Sequence, residues 1–332
     1  MFRTITISRN FVAAALVAAS LMGAGAAQAA DYTLKFGHLA NTDNIWNKAA
    51  LKFKTLVEKN SDGRIAVKVY PNEQLGSEME VINSIQLGTA DMTITGESLE
   101  NWAPLAALMA VPYLFDSSEQ MKQTIEGPIG EKIKQQVIEK TGLLPIAWFE
   151  RGPRELTSNR PIRKPEDLNG LRLRVPNVPL FVKSWQALGA KPTPMAFSEV
   201  FTSLQQGTVD AQENPLSLIQ SASFNEVQKY VDVTDHVRSW IYVVIGKQKF
   251  DSMPQDLQKV VMDAAQQMQT YEQKLFVQDQ KRLEKELKDK GMEFVKVDKQ
   301  AFAEKARAAV SSALTGEQKT LYNQILQQQD GK

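Results

Sequence analysis

Strand-like and helix-like patterns alternate along the first half of this chain, and that alternation confines the fold to parallel βαβ units with helices laid on a sheet. Residues 32–37 (YTLKFG) read as a strand, and 44–59 as a helix striped by Ile45, Ala49, Phe53, Leu56 and Val57. Asp62-Gly63 signals a turn before a strand at 65–70, which Pro71 closes. Residues 79–87 predict a helix with Val81, Ile82 and Ile85 inward, stopped by Gly88, and 91–96 a third strand. A second round follows Gly142, with extended stretches at 143–149 and 155–158 and a short helical turn at 165–170. A strand from Leu171, a helix over 198–206 and a wholly apolar strand at 241–245 complete it.

Beyond Pro254 there is no further proline, and the first glycine is Gly291. Leu257, Val260, Val261, Ala264, Met268, Tyr271 and Leu275 recur there at helical spacing, predicting a helix far longer than the usual ~11–12 residues. At the other end, Arg3 and Arg9 flank the approach to an apolar run from Phe11 to Met22, followed by Ala27-Gln28-Ala29. That order predicts a secretory signal over residues 1–29, since the run falls short of the roughly 20 residues that span a bilayer. Its loss removes two arginines and no acid, taking the formal charge of +1 to just below zero. Nothing in that balance points to nucleic acid or to an anionic membrane. Cysteine is absent, which excludes disulfide staples, thiolate catalysis and a lipid-modified cysteine. The remaining chain, about 300 residues, can build a core unaided and is near the size at which cores divide in two.

The residues richest in chemistry lie between 171 and 215. In Leu171-Arg172-Leu173-Arg174-Val175, alternation puts both arginines on one face, and Pro176 ends the strand just after Arg174. Open α/β sheets bind ligands beyond the carboxyl ends of their strands, and the planar guanidinium fork suits a carboxylate. A solvated strand face is the alternative. Asn214, in Gln212-Glu213-Asn214-Pro215, precedes a proline, so its backbone is biased toward extended geometry and its amide projects from a fixed point. Arg151 and Arg154 bracket Gly152-Pro153 in a loop where Glu150 and Glu155 could simply neutralise them.

The run LRLRVPNVPLFVKSWQALGAKPTPMAFSEVFTSLQQGTVDAQENP closely resembles the core signature of the solute-binding proteins of tripartite ATP-independent periplasmic (TRAP) transporters. The likeness extends over nearly all of the chain after the leader. It implies an α/β, two-lobed periplasmic binding protein fold, joined by crossing strands and braced by the long C-terminal helix, with the ligand between the lobes. Lobe one would hold 30–151 plus 240–279, and lobe two 152–239 plus 280–332. The resemblance makes Arg174 the carboxylate clamp and Arg154 a second ligand-contacting arginine, with Arg151 one turn of loop away. It places Asn214, and less strongly Asn177, on the cleft wall. Phe197 matches an aromatic that packs on the ligand, with ordinary core packing as the alternative, and Glu97 matches a carboxylate that contacts ligand hydroxyls. His38 and Trp46 are wall candidates that could equally be packing. Glu100 in place of an arginine, and Leu39 in place of an asparagine, set the chain apart from the sialic-acid-binding branch.

The expected function is therefore that of a periplasmic subunit that captures a small-molecule carboxylate and delivers it to membrane permease subunits. Acidic groups beside arginines suit a sugar acid, a hexuronate or aldonate, because carboxylates accept hydroxyl protons while arginine takes the acid end. A C4-dicarboxylate or keto acid is the alternative ligand, and a secreted sugar-acid enzyme the alternative class. Against the enzyme stand two histidines far apart, His38 and His236, and the lack of any metalloprotease, Walker or dinucleotide motif. No acidic cluster is spaced for a cation. No catalytic residue, cofactor or resident metal is expected.

Overall fold

A computed structural model describes residues 30–330, so the leader expected over 1–29 lies outside the described residues. In chain order the first strands are β1 (Tyr32–Gly37), β2 (Ile65–Tyr70), β3 (Met92–Thr95), β4 (Leu143–Glu150) and β5 (Arg154–Ser158). They are followed by β6 (Arg172–Val175), β7 (Lys191–Pro194), β8 (Ala211–Pro215), β9 (Tyr230–Val237), β10 (Trp240–Gly246) and β11 (Glu293–Lys296). These form a five-stranded sheet, β2-β1-β3-β10-β4, and a six-stranded sheet, β11-β9-β5-β8-β6-β7. The result is the expected α/β molecule of two lobes.

The βαβ units are parallel, as the alternation requires: β1 pairs with β2 and β3, and β6 with β7 and β8. Where the sheets meet, pairing turns antiparallel, β10 lying against β3 and β4, and β5 against β8 and β9. The cause is connectivity. β4 runs into β5 through only Arg151-Gly152-Pro153, and β9 into β10 through Arg238-Ser239. The two crossings are tied together by the Arg151 N–H donating to the Ser239 carbonyl (3.0 Å).

The predicted long helix spans Gln255–Asp289, 35 residues and thus ~52 Å at 1.5 Å per residue. Leu257, Val261, Ala264 and Met268 join the core of the first sheet with Phe36, Ile94 and Val243, whereas Leu287 joins Val200, Phe224 and Val231 beside the second. One apolar stripe thus braces both lobes. Gly152 passes beneath this helix at φ +74, where a Cβ would come 2.8 Å from Gln280 Nε2 and 3.1 Å from Phe276.

The periodicity scan missed several helices, among them Ser118–Glu126, Pro128–Thr141, Lys299–Ala313 and Gly316–Asp330. The last of these, expected with lobe two, makes its long-range bonds to segments expected in lobe one: Gln318 Nε2 donates to the Pro104 carbonyl (2.7 Å) and Gln329 Nε2 to that of Leu114 (2.9 Å). Its buried Leu321 and Ile325 account for that placement, since they share a core with Ala106 and Leu108. Among the described residues, no helix is long and apolar enough to cross a membrane.

Candidate ligand-binding site

β6 stops where Pro176 removes the next ladder donor, which leaves Arg174 at the strand's end and only 3% exposed. Its Nε and Nη2 both donate to the Met195 carbonyl, at 3.2 and 2.7 Å, and the guanidinium carbon lies 6.0 Å over the Phe197 ring. Among the described residues no carboxylate lies within ion-pair distance of it. Burial lowers its pKa to about 10, with Glu213 pulling the other way, so the group is charged at neutral pH. Arg172, on the same strand face but exposed, is held by Asp210.

The other two arginines are matched. Arg154 opens β5 fully buried, and its Nη2 donates to Glu213 Oε1 (2.7 Å), the Glu213 carbonyl (2.9 Å) and Asn214 Oδ1 (3.3 Å). Its Nε meets Glu213 Oε2, and its Nη1 lies 3.4 Å from Glu97 Oε1. Arg151 Nη1 pairs with that same Glu97 oxygen. Burial opposes the charge on Glu97, but Arg151 and then Arg154 outweigh it and hold the carboxyl below its usual range. Among the described residues, Glu97 Oε2 has no hydrogen-bond partner. Glu213 is likewise pushed up by burial and pulled down further by Arg154 and His236, to about 2. His236 Nε2 is 2.9 Å from Glu213 Oε2, and its Nδ1 is 2.8 Å from Thr234 Oγ1. Burial pushes the His236 pKa down.

Part of this network lines a cavity whose empty space, open mouth included, is about 550 Å³. Arg174, Arg154, Arg151 and Glu97 stand on its wall with Asn214, Asn177 and Phe197. Apart from the two wall candidates, the expected site residues are therefore brought together. Trp46 is buried in the core of the first sheet. His38 is buried edge-on against Phe36, neither ring nitrogen forms a sound hydrogen bond, and burial lowers its pKa to about 4. Its neighbour Leu39 faces the cavity instead. Phe197 is half-buried and packs against Phe224 (5.9 Å between centroids) while still facing the cavity, so both readings of it describe part of its surface. Asn214 Nδ2 donates to Gln212 Oε1 (2.7 Å), which fixes the amide's orientation.

The structure also brings in groups that sequence reasoning passed over. Glu213 had no local signal, because β8 carries no apolar pattern and its partner Arg154 lies 59 residues away. Glu78 lines the cavity and accepts from Thr95 Oγ1 (2.6 Å); burial, then Glu97, push its carboxyl up. His236 had no local signal for the site, because the carboxylate it meets, Glu213, lies 23 residues away on another strand.

Such a cavity at the seam of two α/β lobes is the architecture of a binding protein, and residues 36–316 match the DctP model, bacterial extracellular solute-binding protein, family 7. The chain belongs to that family. This family 7 protein is 56% identical to a solute-binding protein of Roseobacter denitrificans, over 92% of this chain and 94% of that one. It is 34% identical to the 2,3-diketo-L-gulonate-binding periplasmic protein YiaO of Escherichia coli, over 87% and 89% of the two chains. A solved TRAP periplasmic solute binding protein from R. denitrificans, with bound L-galactonate, superposes with a TM-score of 0.89 at 55% identity, covering 90% of this chain and 100% of that one. Another from Polaromonas, bound to D-erythronate, does so at 0.82 and 33%, covering 88% and 98%. This chain is likewise a TRAP solute-binding protein.

Proposed function

We propose that the protein captures a monoanionic sugar acid, a six-carbon aldonate or uronate, in the periplasm and hands it unaltered to membrane permease subunits. One observation carries this reading: Arg174 is a buried cation without a counter-ion, at the wall of an interlobe cavity. Leaving such a charge unpaired costs several kcal/mol, roughly, and an incoming carboxylate removes that cost. Arg174 takes the ligand's acid group through its fork. Arg151 and Arg154 are already matched by Glu97 and Glu213, so they shape the wall rather than offer two further positive charges.

That balance argues for one carboxylate on the ligand. Glu73 also lines the cavity, and a second ligand carboxylate would meet it with like charge. Hydroxyls would not: the free Oε2 of Glu97 accepts from them, the Asn214 and Asn177 amides bond them, and Phe197 covers an apolar face. The L-galactonate and D-erythronate bound by the two relatives are polyhydroxylated monocarboxylates, which supports the same class for this chain. The lobes divide at the crossings 151–153 and 238–239 and close by hinging there.

Calorimetric titration of the mature chain with L-galactonate, D-galacturonate and succinate tests the reading. Both sugar acids should bind at least about tenfold more tightly than succinate, a gap of ~1.4 kcal/mol, and be recovered chemically unchanged. Succinate binding as tightly as either would overturn the sugar-acid assignment, and a converted product would overturn the binding role.

A further inference from the structure

Away from the arginines, short polar side chains stitch the two lobes together. Asn44 Nδ2 donates to the Ser217 carbonyl (3.3 Å) and to Ser221 Oγ (3.2 Å), and Asn41 Nδ2 donates to the Ser221 carbonyl. Asn101 Nδ2 donates to the Asn177 carbonyl (2.8 Å). The adjacent Glu100 accepts the Leu180 N–H (3.3 Å). In each bond one partner belongs to a segment leading out of the first sheet and the other to a segment leading out of the second. None of Asn41, Asn44, Glu100 and Asn101 lines the ligand cavity.

The groups they grip are chosen by backbone chemistry. Leu180 lies in the first turn of the helix Pro179–Leu188, where N–H groups have no intrahelical acceptor. The Ser221 carbonyl ends the six-residue helix Leu216–Ser221, whose last four carbonyls have no intrahelical donor, and the Ser217 carbonyl, second in that helix, accepts through its remaining lone pair. With the lobes apart, water can satisfy all of these, so the open form carries no penalty. With the lobes together, the side chains replace water at sites that exist whether or not a ligand is present.

We propose that Asn41, Asn44, Glu100 and Asn101 are a closure latch that sets the affinity and residence time of the bound acid without touching it. The proposal rests on the two-lobed binding reading but not on which acid is bound. Because the latch forms identically around any guest, weakening it scales every affinity by one factor, whereas altering a ligand-contacting residue shifts ligands unequally. The loss falls on dissociation, since latch bonds form after encounter. Glu100 thereby has a use unrelated to ligand recognition, although the resemblance placed it where a ligand-contacting arginine would stand.

The test compares the parent chain with Asn101→Ala and the double variant Glu100→Ala/Asn101→Ala, using L-galactonate and D-galacturonate as probes. For the double variant both dissociation constants should rise by the same factor, about tenfold for two lost bonds. Association should stay within about twofold, and dissociation should quicken accordingly. Unchanged affinities, losses differing more than about threefold between the two acids, or a loss carried by slower association would overturn the latch. Asn101→Asp, which keeps the size but turns an oxygen toward the Asn177 carbonyl, should reproduce the effect if the alanine variants fold poorly. The chain has no cysteine, so Lys59→Cys with Glu166→Cys, one on each lobe, can carry a pair of spin labels. If neither acid binds, the functional reading fails and distances without ligand decide the latch alone. A closed sub-population present in the parent and lost in the double variant keeps it, and identical distributions overturn it.

Discussion

At position 174 a positive charge is buried with one carbonyl as its hydrogen-bond acceptor and no carboxylate at ion-pair distance among the described residues, and that local imbalance makes the residue informative. Arg174→Ala should weaken binding by at least about 100-fold, the scale of truncating a buried charge partner. It should leave thermal stability unchanged or higher, because an unmatched buried charge disappears. Arg174→Lys keeps the charge but not the planar fork, and should still lose about tenfold or more. Calorimetry checks both, and near-native affinity in the lysine variant would refute the bidentate role. Glu213 behaves oppositely. Glu213→Gln strands Arg154 as an uncompensated charge and should destabilise the fold by ~3–5 kcal/mol in denaturant titration. A loss below about 1 kcal/mol would mean that Glu97 alone compensates Arg154. The arginines themselves were readable from strand ends and proline positions. Which of them would arrive already paired was not, because Glu213 and Glu97 reach Arg154 from 59 and 57 residues away.

Among the elements, the long helix and the strand β8 mark the two extremes of legibility. The helix announces itself, since proline and glycine are absent over its length and its apolar residues keep a 3.6 period. β8 (AQENP) is buried at every residue yet polar at its three central positions, so no hydropathy pattern nominates it. Its polar atoms are satisfied only by neighbours: Gln212 donates to Thr157 Oγ1 (2.9 Å), and Glu213 and Asn214 meet Arg154. β7 escaped for a related reason. Its Pro192 and Pro194 argue against a strand, and are tolerated because β7 lies at the sheet's edge. The strand crossing packs against the long helix at Gly152, and Gly152→Ala should cost about 1–3 kcal/mol through its left-handed backbone and the crowding by Gln280 and Phe276. Thermal denaturation measures it. A neutral result would show that these two flexible side chains yield freely.

For the molecule as a whole, several carboxyls are buried with no cation at ion-pair distance among the described residues, and more distant cations offset burial only in part. Burial raises Glu155 to about 8, Glu100 to about 7 and Asp232 to about 6, despite backbone N–H donors to each. A folded pKa above the unfolded one means that the fold favours the protonated group. Its stabilising contribution is complete below about pH 4 and lost as pH rises through the folded value. Glu213, lowered to about 2, contributes above its unfolded pKa and is lost only as pH falls toward 2. Melting temperature should therefore decline from about pH 5 to pH 8, and Glu155→Gln should flatten the upper part of that decline. A melting temperature that rises across this range would contradict the assignment.

Sequence alone determined the identity of the periodic elements, the long brace, the family likeness and the presence of arginines at a strand's end. Each of these is encoded within a few dozen residues, as a repeat, a breaker or a motif. Only the tertiary structure decided which cation lacks a partner, that His38 packs inside lobe one while Glu78 reaches the cavity, and that Glu100 grips the opposite lobe. Those outcomes depend on sheet register and on how two lobes meet. There, residues 54 to 59 positions apart in the chain settle each other's charge, and no local pattern records the pairing.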